Sequence, residues 1–197
     1  MLKALKPLIA GIMFACWIAP APVFGDSPTK QIQETIQQVL KVVSGPAGND
    51  EERKDRLRET LMPRFDWLEM AKQSLGKHWN SASGRENEFV AAFADFLGNS
   101  YVSKIGSYKD EKIVFMNESI ENDLAQVKTK IIPGKGEPTS VNYRLHRMQG
   151  EWKIYDVVVE DISIVVNFRS QFNRVLAKGS FDDLLKQLRE KEMKNRN

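Results

Sequence analysis

At about residue 110 the hydrophobic pattern of this chain changes period, from 3.6 to 2, and it returns to the helical period near Ile162. Helices therefore come first, a run of strands follows, and helices close the chain. Segregation of this kind specifies an α+β fold, with helices packed on one face of a curved antiparallel sheet.

The opening helix is announced by Asp26-Ser27 and the first-turn Pro28; Ile32, Ile36, Val39, Leu40 and Val43 follow at helical spacing, and Gly45-Pro46 ends it. Asp50 to Met62 reads as a charged second helix with Leu57 and Leu61 inward. Pro63 breaks it, and Phe65, Leu68, Ala71 and Leu75 define a third helix that stops at Gly76. The strongest pattern runs from about Arg85 to Tyr108, where Phe89, Ala92, Phe93, Phe96, Leu97, Tyr101 and Ile105 share one face. Gly98 and Gly106 weaken that helix, which predicts a bend or a fraying end.

In the strand region, Ala125, Val127, Thr129 and Ile131 alternate with Gln126, Lys128 and Lys130. Val141, Tyr143 and Leu145 alternate in the same way, and Trp152 to Glu160 follows the Gln149-Gly150 turn. With Ile113 to Met116 in front, four strands form an antiparallel meander. Val157, Val158 and Val159 are consecutive, so the last strand should be covered on both faces. Two helices then follow, one carrying Val165, Phe168, Phe172, Val175 and Leu176 and ending at Gly179, the other carrying Phe181, Leu184, Leu185 and Leu188.

The N-terminus has its own logic. Lys3 and Lys6 precede an uncharged apolar run from Leu8 to Ile18, and small residues lead to Gly25, the order of a secretory signal peptide spanning residues 1–25. A retained anchor is the rival, but the run falls short of the ~20 residues that span a bilayer. The only cysteine, Cys16, lies inside the removable segment; its setting faintly resembles a lipoprotein acylation site, but apolar residues continue beyond it. The mature chain, 26–197, is then a single domain without thiol or disulfide. With Lys3 and Lys6 gone, 27 of the 29 basic residues remain against 26 acidic ones. That balance, with only short basic clusters such as Arg53-Lys54, argues against nucleic-acid binding.

Catalytic signatures are scarce. No nucleophile elbow, phosphate-binding glycine loop, dinucleotide fingerprint or zinc-helix motif occurs. His78 and His146 lack the neighbours of a metal site, and His146 falls on the wet face of its strand. No metal or cofactor is therefore expected. Asp156, flanked by apolar residues on a covered strand, reads as a buried carboxylate paired with Arg169, and it is the one candidate for an enzyme's polar group.

Two blocks resemble the MlaC, or toluene-tolerance, family. One is Phe65-Asp66, Leu75-Gly76, Trp79, Glu88-Phe89, Phe93, Leu97, Tyr101 and Tyr108; the other is Trp152 to Asp156, Ser163, Phe168 to Phe172, Gly179, Leu184 and Leu188. Their order and spacing, rather than any single motif, carry the resemblance across nearly the whole mature chain. It implies a periplasmic carrier, working as a monomer, that shuttles phospholipid between an outer-membrane lipoprotein complex and an inner-membrane ABC transporter complex. It also implies that acyl chains sit in an apolar pocket between sheet and helices, with the headgroup near solvent. A related branch accompanies hopanoid pathways, so another lipid is the alternative cargo.

The residues expected to line such a pocket are Leu68, Ala71 and Leu75; Phe93, Phe96, Leu97 and Tyr101; Val127, Ile131, Val141 and Tyr143; and Val165, Phe168 and Phe172. Each singly is equally well a plain core residue. Tyr101 and Tyr108 suit a pocket mouth, being polar at the tip of an apolar body. Two other classes stay open: a small enzyme acting on a hydrophobic substrate, and a protein-interaction adaptor with a solid core.

Overall fold

A computed structural model describes residues 27–45, 49–105 and 111–196. The expected signal peptide with Cys16, and also Pro46, Gly106 and Tyr108, lie outside the described residues.

The sheet has five strands, not four: β1 Lys112–Glu121, β2 Leu124–Ile132, β3 Thr139–Met148, β4 Glu151–Val159 and β5 Ile162–Ser163, in that order and antiparallel throughout. The added strand is two residues long. Glu160 and Asp161, both at positive φ, turn the chain back so that Ile162 pairs with Val159 and Ser163 with Val158. Alternation needs about four residues to show, so a strand this short leaves no periodic trace. Register shifts at Phe115/Asn117 and at Arg144/Leu145 are bulges, which bend the strands that carry them.

The outer edge of β4 is closed at both ends. β5 covers one end; at the other, Phe65 forms a parallel bridge with Ile154, and Asp66 N–H donates to the Ile154 carbonyl at 2.8 Å. Covering an edge in this way removes a template for aggregation. The three consecutive valines are covered on both faces, Val158 being buried on one face of β4 and Val157 and Val159 half-buried on the other.

Helix α1 (Pro28–Ser44) lies on the sheet's apolar face. Ser27 caps it by accepting from Lys30 N–H at 3.1 Å. Its first turn is strapped to two strands, with Thr29 N–H donating to Glu118 on β1 at 2.7 Å and the Gln31 amide bonding both the N–H and the carbonyl of Trp152 on β4. Ile32 then packs with Ala125, Val127, Leu145, Trp152 and Ile154.

Helices α2 (Asp50–Leu61), α3 (Trp67–Leu75) and α4 (Glu86–Ile105) follow, with 3-10 turns over Met62–Arg64 and Gly76–Ala82. In α3 the buried positions are Met70, Ala71, Ser74 and Leu75, while Leu68 is exposed. Phe65 precedes the helix, so the apolar stripe is set by Trp67, Met70, Ala71, Ser74 and Leu75, and Leu68 falls off it. Gly98 does not end α4, which continues through it to Ile105. A Cβ there would sit 3.1 Å from Met62 Sδ and 3.3 Å from Arg58 Nη1, so the glycine makes room for the end of α2 and the turn after it.

Helices α5 (Ile164–Leu176) and α6 (Phe181–Arg196) complete the chain. Side-chain bonds clasp α6 to α4: Arg189 to Glu88 at 2.6 Å, Arg85 to Asp182 at 2.7 Å, and Asn99 to Glu192 at 2.6 Å. The hydrogen bond from Arg85, followed by that from Arg189, holds the Glu88 carboxyl below its ordinary 4.5. A carboxyl depressed on folding stabilises fully above its unfolded pKa and loses that contribution as pH falls through the folded one. The Tm difference between wild type and Glu88→Gln should therefore be constant near neutrality and shrink as the pH drops below the ordinary glutamate range. A difference that is absent at pH 7 would show the clasp to be fully solvent-screened.

Candidate functional site

Helices α3 to α6 enclose a cluster dominated by phenylalanine. Phe89 and Phe93 stack at 5.9 Å, and Phe168 meets Phe93 at 5.7 Å and Phe96 at 5.6 Å edge-on. Phe172 packs against Phe89, Phe93 and Phe168 at 5.6 to 5.8 Å. The i, i+3, i+4 spacing on α4 and the i, i+4 spacing on α5 put these rings on facing helix surfaces.

The expected lining residues divide between two packed groups. Ala71, Leu75, Phe93, Phe96, Leu97, Val165 and Phe172 are buried in the helical cluster, with Tyr101 and Phe168 packed at its margin. Val127 is buried in the sheet cluster beneath α1, and Tyr143 packs against it. Val141 is buried and Ile131 half-buried on the same sheet face, opposite Val159 and Thr139 in register. Leu68 joins neither group. Phe65 and Val157 touch both clusters and form the junction between sheet and helices. Burial raises the Tyr101 phenol above its ordinary pKa, consistent with a ring set partly inside the apolar body.

A cleft opens beside the helical cluster. Phe168, Gln171, Phe172 and Val175 of α5 face Leu184, Gln187, Leu188 and Lys191 of α6 across it, with Phe96 of α4 in the floor. It is shallow and open to solvent on one side, with a cavity volume of about 40 Å³. Sequence reading included Phe96, Phe168 and Phe172 but missed the other six. Their signal was the matched i, i+3, i+4, i+7 stripes on α5 and α6, in which glutamine and lysine interrupt an otherwise apolar series.

Asp156 does not pair with Arg169. Arg144, opposite it in the β3–β4 register, contacts its Oδ2 at 3.0 Å; Ser163 Oγ donates to the same oxygen at 2.7 Å, and Val165 N–H to Oδ1 at 3.2 Å. Arg169 turns toward α3 instead, donating from Nε to the Gln73 carbonyl at 2.6 Å with its stem over Gly76. Only glycine suits that spot, since Gly76 has φ 54° and ψ −122°. The Asp156 carboxylate is thus an anchor between β4 and the start of α5.

His146 is not a simple surface residue either. Its Nε2 lies 2.9 Å from Asp66 Oδ2, though without the alignment of a hydrogen bond, and its ring meets Tyr155 edge-on at 5.5 Å. Asp66 is brought there by its backbone bond to Ile154, and its other oxygen caps α3 by accepting from Glu69 N–H.

The family model described as MlaC protein matches residues 30–190, which run from the first turn of α1 to the last turns of α6. The chain belongs to the MlaC family. The intermembrane phospholipid transport system binding protein MlaC of Haemophilus influenzae is 24% identical over 140 residues, covering 68% of this chain and 65% of that relative. This chain therefore matches just under two-thirds of the curated relative's length. A phospholipid-binding protein from Ralstonia solanacearum, solved in complex with a phospholipid, has the same fold: TM-score 0.78 at 18% identity, covering 87% of this chain and 100% of that one. Within this MlaC-family fold, no helix among the described residues is long and apolar enough to cross a membrane.

Proposed function

We propose that this chain is a periplasmic carrier that binds phospholipid acyl chains in its apolar interior and moves lipid between membranes. The observation that carries the reading is membership of the MlaC family across residues 30–190. A shared fold with a protein solved around a phospholipid adds support. Its partners are then an outer-membrane lipoprotein complex and an inner-membrane ABC transporter complex, and residues 1–25 are the export signal.

The chemistry of the interior suits that work. Acyl chains would part the sheet cluster from the helical cluster at the Phe65–Val157 junction, exchanging one set of apolar contacts for another. A chain of ~16 carbons recovers about 0.8 kcal/mol per buried CH₂, on the order of 12 kcal/mol, near the cost of leaving a bilayer. A carrier needs that balance in order both to extract and to release.

Mass spectrometry of a gentle organic extract of the purified protein tests the proposal. Co-purified phospholipid in near-stoichiometric amount is the expected result; a hopanoid in its place would keep the carrier and change the cargo. Lipid-free protein that also takes up nothing from phospholipid vesicles would rule the carrier out.

A further inference from the structure

We propose that the cleft between α5 and α6 is the mouth through which an acyl chain enters, and that Lys191, with Gln171 and Gln187, holds the lipid's phosphate at its rim. The proposal rests on the carrier reading and adds where and how the lipid is held.

Three observations carry it. First, the cleft is amphipathic in the sense a phospholipid requires. Its floor is aromatic and aliphatic, while an ammonium and two carboxamides, all hydrogen-bond donors, stand at its edge. Second, the floor leads inward. Phe168 is half-buried in the cleft wall, yet its ring contacts Phe93 and Phe96 in the centre of the helical cluster, so displacing that one ring joins the surface to the interior. Third, the polar bonds that hold α6 run to α4, through Glu88, Arg85 and Asn99. The side of α6 that faces α5 meets it through Leu184 and Leu188, with Gln187 and Lys191 beside them at the rim. Parting that seam exposes apolar surface, which an entering acyl chain covers again; breaking the α4 side would separate ion pairs with no such return.

Lys191 is exposed and stands seven residues after Leu184, on the stripe that lines the cleft. An ammonium there meets phosphate oxygens without leaving water, and the glutamine amides can donate to phosphate or ester oxygens beside it.

The test compares two lipids, dioleoylphosphatidylglycerol and dioleoylglycerol, which share acyl chains and differ in the phosphate. The purified protein is incubated with vesicles doped with each, and retained lipid is measured after separation. Lys191→Glu should lower retained dioleoylphosphatidylglycerol about tenfold and leave dioleoylglycerol unchanged, with Lys191→Arg restoring the wild-type amount. Val175→Trp, which fills the cleft floor, should lower both lipids while circular dichroism stays native. Should Lys191→Glu retain wild-type amounts of both lipids, or lose both equally, the phosphate assignment fails while the carrier reading stands. Wild-type protein that retains neither lipid overturns the carrier reading and the mouth with it.

Discussion

Replacing Asp156 with alanine will destabilise the protein by about 2 to 4 kcal/mol, because it removes a buried carboxylate's charge-assisted hydrogen bonds and leaves a buried amide without its acceptor. Asp156 is 2% exposed and receives three bonds, from Arg144 Nη1, Ser163 Oγ and Val165 N–H. Truncation leaves the Val165 amide without its acceptor and Arg144 without its counter-charge. For a chain of this length, 1 kcal/mol shifts Tm by about 2 to 4 °C, so a fall on the order of 10 °C is expected in a thermal melt. The damage should also be local. Because the carboxylate fixes the start of α5, hydrogen exchange should quicken at Val165 and Val166 more than in β1 or β2. Arg144 is partly exposed, and Arg144→Ala should cost less. A loss below 1 kcal/mol for Asp156→Ala would mean that water replaces the network.

The anchor shows where sequence reading stops. That Asp156 is buried follows from its apolar neighbours on a strand whose consecutive valines require cover on both faces. Its partner does not follow. Choosing Arg144 over Arg169 requires the β3–β4 register, and that register contains a bulge which shifts every pairing after Leu145 by one. Leu68 is a related case. A stripe phased from Phe65 includes it, but Phe65 belongs to the edge of β4, and the helix that begins at Trp67 turns Leu68 outward. Long periodic segments, by contrast, were legible: α1 and α2 begin and end within a residue or two of their caps and breakers, and α4 begins within a residue of Arg85. The two-residue β5 and the Gln31 strap carry no period and could come only from three dimensions.

Val127→Trp and Ala71→Phe should each lower co-purified lipid more than tenfold while leaving the protein folded. Val127 is buried on the sheet under α1, and Ala71 is buried on α3, so the two sit on opposite sides of the proposed lipid chamber. In the closed packing both side chains are fully enclosed, and enlarging them carries the usual overpacking cost of ~1 to 3 kcal/mol. A domain with about 5 to 15 kcal/mol of stability survives that, with a Tm drop of about 2 to 12 °C. Lipid loading suffers more, because a ring of indole or phenyl size takes the volume that acyl carbons would occupy once the clusters part. Leu57→Trp supplies the control. Leu57 is equally buried but packs with Val39 and Val102 among α1, α2 and α4, in a separate cluster. It should cost comparable stability and leave lipid content unchanged. If all three variants lose lipid in proportion to their Tm, the loss reflects unfolding, and Val127 and Ala71 are ordinary core. If Val127→Trp and Ala71→Phe empty the protein while Leu57→Trp does not, the acyl chains lie where the sheet meets the helices.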